Sequence, residues 1–145
     1  KTYSKRDSWM LSFNEVFDSL KEDLVLGKEV KFFPNGRSMF PTIVEKRDYV
    51  YLSKTSFKVL DIIFYKVEDK YLLHRVVKID GDKIICQGDN NLVKEVITKD
   101  DVIGVVVKLY RKNKEVKRGG IRFKSLYLTS RIRLLLKRIK RKLWK

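Results

Sequence analysis

The chain has 145 residues, with 43% hydrophobic and 12% aromatic content, which fits one folded domain and excludes a largely disordered protein despite the high charge. A single cysteine, Cys86, excludes an internal disulfide and any multi-cysteine metal site, so neither a bound metal nor a cofactor is expected. The net charge of +16 is unevenly placed: from Lys108 to Lys145 there are 16 basic residues against one acid, Glu115, whereas residues 1–107 hold 18 against 17, so a nearly neutral body carries a cationic tail suited to an anionic surface.

In chain order, "DSWMLSFNEVFDSLKEDLVLGKEV" places Phe13, Val16, Phe17, Leu20 and Leu24 at helical spacing. Asp7 or Ser8 can cap this helix and Gly27 can stop it, so residues 1–27 are expected to form an N-terminal amphipathic helix. Runs rich in β-branched and aromatic residues follow: "KEVKFF", "DYVYLS", "KVLDIIFY", "YLLHRVVKI", "KIICQ" and "DVIGVVVKLY". They predict a mainly β body over residues 28–110, with Asp-Gly in "KIDGDKI" as the strongest hairpin signal. "RKNKEVKRGG" reads as a linker over 111–120. Residues 121–145 read as a basic amphipathic helix, with Leu128, Ile132, Leu135, Ile139 and Leu143 on one stripe. No run reaches the ~18–20 apolar residues needed to span a bilayer, and "KTYSKRDSWM" lacks the apolar core of a signal peptide.

Ser38, in "GRSMFPTI", sits in a turn between two expected strands. A serine hydroxyl becomes a useful nucleophile only when a base takes its proton and donors receive the oxyanion. Pro34-Asn35-Gly36 allows a sharp turn whose backbone N–H groups can point at an oxyanion; an arbitrary turn serine more often bonds its own backbone. His74 is the only histidine, hence the only side chain with an unperturbed pKa of ~6.5 suited to general-base work at neutral pH. Alternation along "YLLHRVVKI" puts it on the face of Leu72 and Val76, where a lone histidine is more often a satisfied structural residue than a catalytic one. Asp89, in "CQGDNNLVKE", lies in a turn where a carboxylate can orient an imidazole or form an Asx turn.

Taken together, "GRSMFPTI", "DIIFYK", "YLLHRVV", "GDNN" and "VIGVVV" resemble, in order and spacing, the type I signal peptidases and the LexA-like self-cleaving domains related to them. The resemblance covers residues 28–107, and His-Arg-Val, where bacterial members have a lysine, resembles the endoplasmic-reticulum and archaeal branch. It implies an antiparallel β fold that binds an extended peptide beside a strand, with Ser38 as nucleophile, His74 as general base and Asp89 as its acidic partner. Gly36, Arg37 and Met39 would support the serine and its oxyanion site, and Glu95 matches a second acidic position of that branch. The chain departs from the family in having Gly36 where many members place an oxyanion serine, Arg47-Asp48 for a Gly-Asp pair, and an amphipathic helix in place of the N-terminal membrane anchor.

The chain contains no alanine, so the Ala-Gly bond at which LexA-like domains cut themselves is absent, and cleavage of signal or leader segments of other polypeptides is the implied activity, with small residues before the cut. A non-catalytic peptide-binding or surface-binding module on the same fold is the alternative. Each Lys or Arg near an anionic leaflet contributes ~1 kcal/mol, so Arg131, Arg133, Lys137, Arg138, Arg141, Lys142 and Trp144 are the expected contacts of a peripheral membrane protein or a cytoplasmic one that visits the surface. The competing possibility is that the apolar stripe packs on the body; nucleic acid is a less favoured partner, since the helix has few polar base-reading side chains.

Overall fold

The computed structural model describes residues 2–3 and 10–144, with side chains from Val16 onward. The first helix, α1 (Met10–Val25), buries Phe17, Leu20 and Leu24, the spacing that the sequence dictates. It ends because Gly27 takes φ +82, while Gly27 N–H reaches Leu24 O at 3.0 Å and Lys28 N–H reaches Asp23 O at 3.1 Å, a Schellman closure that satisfies the last carbonyls. The cap expected at Asp7 or Ser8, and the side chain of Phe13, lie outside the described residues.

The body is mainly β. Eight strands make an antiparallel sheet: β2 (Val30–Phe32), β3 (Tyr49–Ser53), β4 (Ile62–Val67), β5 (Lys70–Asp80), β6 (Lys83–Gln87), β7 (Lys94–Ile97), β8 (Val102–Arg111) and β9 (Lys114–Lys117). The two-residue β1 (Thr2–Tyr3) adds in parallel at one edge. Strand order is β1-β2-β3-β8-β4-β5-β6-β7, with β9 also on β8. The Asp-Gly signal is a hairpin: Asp80 pairs with Lys83 across Gly81 at φ +58, the left-handed geometry a two-residue turn needs.

Residues 111–120 do not act as a linker. Lys112 and Asn113 both take positive φ, closing a tight hairpin that pairs β9 with β8 from Lys108↔Lys117 to Arg111↔Lys114. Three lysines, two arginines and an asparagine made this stretch read as solvated coil, yet an exposed edge strand tolerates basic side chains well. β7 was likewise hidden: its burial alternates, but the inward positions are Glu95 and Ile97 while apolar Val96 faces out, so the apolar pattern gives no strand signal.

Two apolar clusters lie on opposite faces of the sheet. One joins Phe17, Leu20 and Leu24 to Phe32, Phe64, Leu73 and Leu109; the other joins Ile63, Tyr65, Val76, Ile84, Cys86 and Val105. The last helix, α2 (Ile121–Leu143), packs on the body through Phe123, Leu126, Ser130 and Leu134. Of the two alternatives for the stripe of Leu128, Ile132, Leu135, Ile139 and Leu143, packing on the body is the one that fails, since all five are exposed.

Chemical denaturation should separate the two sides of α2. Phe123→Ala, at 1% exposure, is expected to cost about 3–5 kcal/mol as a core deletion, whereas Leu135→Ala should stay within about 0.5 kcal/mol of the parent.

Candidate active site

The antiparallel register decides which side chains meet. Ile63 pairs with His74 and Tyr65 with Leu72, Val76 pairs with Cys86, and Cys86 pairs with Glu95. Directly paired residues share a face, as do residues two apart on one strand, so His74, Tyr65, Cys86 and Glu95 point the same way although they come from four strands. Arg75, the next residue along β5, points to the other face.

His74 is 3% exposed. Its Nδ1 lies 2.7 Å from Glu95 Oε1 and 3.0 Å from the Tyr65 hydroxyl, which itself donates to the same Glu95 oxygen at 2.7 Å. An ionised carboxylate only accepts, so the proton between His74 and Glu95 sits on Nδ1, and Nε2 is left as the basic nitrogen. Nε2 has no partner among the described residues, and it is not among their buried, unpaired atoms. Burial pushes the Tyr65 hydroxyl well above its ordinary range, reinforced by its bond to Glu95, so it remains a protonated donor. Burial, with the Glu95 charge behind it, likewise pushes the Cys86 thiol up to about 12.

Asp89 is therefore not the partner of His74. Its Oδ1 accepts from Arg75 Nε at 2.9 Å and its Oδ2 from Arg75 Nη2 at 2.7 Å, with Thr42 Oγ1 as a further donor to Oδ2. Arg75 Nη1 donates to Leu60 O at 2.9 Å. The physical reason is alternation: the loop carrying Asp89 meets β5 on the Arg75 side, and Glu95, six positions on and already in β7, meets it on the His74 side.

Ser38 sits in the turn segment between β2 and β3, which is bolted to the loop after β6. Asn90 N–H donates to Ser38 O at 2.8 Å, Asn90 Nδ2 donates to Arg37 O at 3.0 Å, and Asp89 N–H points at Met39 Sδ at 3.4 Å. Gly88 is required there, because a Cβ would stand 2.6 Å from Ser38 O. Phe40 N–H returns to Arg37 O at 3.1 Å and Ile43 N–H to Met39 O at 3.0 Å. The N–H groups of Ser38 and Met39 themselves have no acceptor among the described residues, the condition for an oxyanion donor. Gly36 departs from its expected role, since its N–H is held by Glu45 Oε2 at 2.6 Å. Arg37 is exposed, with its guanidinium 5.3 Å from the Phe40 ring centroid, while Met39 is buried.

The Ser38 hydroxyl makes no hydrogen bond to any described residue, His74 included. It stands at a cleft of about 380 Å³ whose lining runs from Phe32, Met39 and Phe64 to Asp69 in the turn before β5 and to Lys70–Leu73 on that strand. His74, the next residue along that strand, is not among the residues that line the cleft. β6 pairs with β5 only from Arg75 to Asp80, so among the described residues Lys70–His74 is paired on the β4 side alone and keeps a free edge. Free edges accept an added strand. Among the described residues no cluster of acidic, histidine and cysteine side chains could hold a metal ion.

No protein-family model matches the chain, and no curated protein matches it.

Sequence reasoning did not single out Tyr65, Thr42 or Arg75 individually; each lies inside a motif-bearing stretch, but only the strand register shows what it touches. Of the expected surface contacts, Arg131 Nη1 donates to Gln87 Oε1 at 2.8 Å, the Arg133 guanidinium lies 4.9 Å from the Phe40 ring centroid, and Lys137 Nζ donates to Asn90 O at 3.2 Å. These three face the body beside the serine segment. Arg138, Arg141, Lys142 and Trp144 are exposed.

The two carboxylates should behave differently. Asp89→Asn leaves Arg75 as an uncompensated buried charge and should cost about 3–5 kcal/mol in denaturant unfolding, with Glu95→Gln much milder because that carboxylate is at the rim. With one histidine in the chain, a single protected downfield imidazole N–H resonance is expected and should vanish in Glu95→Val. At pH 8 the Cys86 thiol should resist a thiol reagent until the protein unfolds. A raised thiol pKa contributes stability that is present below the thiol's ordinary 9.0 and is lost as pH climbs toward about 12.

Proposed function

We propose that the protein is a serine endopeptidase that removes signal or leader segments from other polypeptides, with Ser38 as nucleophile, His74 as general base and Glu95 as the carboxylate that orients the base. The observation that carries this reading is the pairing of buried His74 with part-buried Glu95 at 2.7 Å, which fits Nδ1 as the protonated nitrogen and leaves Nε2 for a proton from outside. Resemblance to the type I signal peptidases of the histidine-bearing branch supports the same roles, with Glu95 taking the place first given to Asp89.

The chemistry follows from those groups. An extended peptide adds to the free edge at Lys70–His74 and carries its scissile carbonyl to Ser38. The hydroxyl proton passes to Nε2 as Oγ attacks the carbonyl carbon, and Glu95 stabilises the imidazolium that results. The tetrahedral oxyanion takes the N–H groups of Ser38 and Met39. Collapse expels the amine, which leaves with the proton from Nε2, and water then releases the acyl group by the same route in reverse. The reading sets the enzyme at the periphery of a membrane: no described helix is long and apolar enough to cross one, and α2 carries the cations that would hold an anionic leaflet.

A second reading, a peptide-binding module without catalysis, draws on the lack of a hydrogen bond between Ser38 and His74. Substitution at the serine separates the two. Ser38→Ala should keep the thermal unfolding of the parent and lose turnover of a leader-bearing polypeptide by at least ~10³-fold, with product masses locating the cut. Equal cleavage by that variant would end the peptidase reading, and undiminished binding of the peptide without any cleavage by the parent would establish the module.

A further inference from the structure

α2 has two apolar faces, and the body uses one of them. At ~100° per residue, Phe123, Leu126, Ser130 and Leu134 share one side and are buried. Leu128, Ile132, Leu135, Leu136, Ile139 and Leu143 fall on the opposite side, each between 46% and 77% exposed. Beyond Leu134 every described position of the helix is exposed, so its last ~15 Å, at 1.5 Å per residue, buries no side chain against the sheet. No acid occurs anywhere along Ile121–Leu143. By the same angular reckoning Lys124, Arg138 and Lys142 border the free stripe on one side, and Arg122 and Lys140 border it on the other.

We infer that this outward face is a docking surface for an anionic lipid bilayer, on which α2 lies flat with its stripe at the acyl boundary and its flanking cations among the headgroups. The charge pattern selects that occupant. A second copy of the chain would bring two cation-bordered stripes together with no acid on either helix to offset them. A nucleic acid would pair with the cations but leave six large apolar side chains in water. A bilayer with anionic headgroups satisfies both halves of the surface at once.

The inward face adds a geometric consequence. Lys137 reaches Asn90 O at 3.2 Å, and Asn90 N–H holds Ser38 O at 2.8 Å, so the docked helix carries the serine segment at a set height above the bilayer. That consequence rests on the peptidase reading; the docking itself does not, and Ser38→Ala protein should bind vesicles as the parent does.

The test is co-sedimentation with phosphatidylcholine vesicles, with and without one part in three phosphatidylglycerol, using the parent and the triple variant Ile132→Ser, Leu135→Ser, Ile139→Ser, which retains every charge. The parent should bind the anionic vesicles at least tenfold more tightly than the neutral ones. The variant, altered only at exposed positions and melting as the parent does, should lose at least tenfold of that affinity. Equal binding by the variant would overturn the inference by making the attraction one of charge alone. Capture by duplex DNA without capture by anionic vesicles would overturn it, as would a vesicle-free dimer in sedimentation equilibrium that the triple variant abolishes.

Discussion

The Arg75–Asp89 pair is the interaction on which the arrangement depends. Both residues are buried, Arg75 completely, and two charges removed from water are tolerated only when their donors and lone pairs are met. Here they are met by parts of the chain that would otherwise be independent. Arg75 belongs to β5 and also binds Leu60 O ahead of β4, Asp89 belongs to the loop after β6, and Thr42 brings in the serine segment. The guanidinium also lies 4.9 Å from the Phe123 ring centroid and 5.0 Å from that of Tyr127, which draws in α2. The pair's contribution is specificity of assembly: leaving any one partner out strands a charge in the interior.

β5 divides its labour by alternation. Arg75 turns to the side that assembles loops and helix, and His74 turns to the side where Tyr65 and Glu95 wait. Two neighbouring residues thus serve opposite faces, one organising structure and the other presenting an imidazole. The Tyr65 hydroxyl shares the Glu95 oxygen with His74, so the carboxylate is held by two donors and the imidazole has a defined edge. On the proposed peptidase reading, the free edge of the same strand at Lys70–His74 delivers substrate to that base, so one strand supplies recognition, general base and scaffold.

The cationic tail is likewise divided. Arg131, Arg133 and Lys137 bind the body at Gln87, Phe40 and Asn90, all beside the serine segment, whereas Arg138, Lys140, Arg141 and Lys142 remain in solvent. A run of like charge is costly to gather, and the helix limits that cost by spreading the charges around its circumference, with carbonyl, amide and aromatic partners for those that face inward. Counting charges along the tail could not show this division, because it depends on where the body ends beneath the helix.

Local periodicity determined much of this protein by itself. The α1 residues Phe17, Leu20 and Leu24, its stop at Gly27, six of the strands, the Asp-Gly hairpin and the existence of α2 all follow from interactions within a few residues, which a sequence displays. Ser38 and His74 stood out for equally local reasons, one from its turn and the other from being the sole imidazole. What the tertiary structure alone decided was which partner each group met: Glu95 rather than Asp89 for His74, Phe123 and Leu134 rather than Leu135 and Ile139 against the body, and a paired β9 where lysines suggested open coil. Those outcomes turn on strand register and on which face of a helix meets the sheet, both set by contacts between residues far apart in the chain. A one-residue change of register exchanges the faces of a strand, and no short window of sequence carries that information.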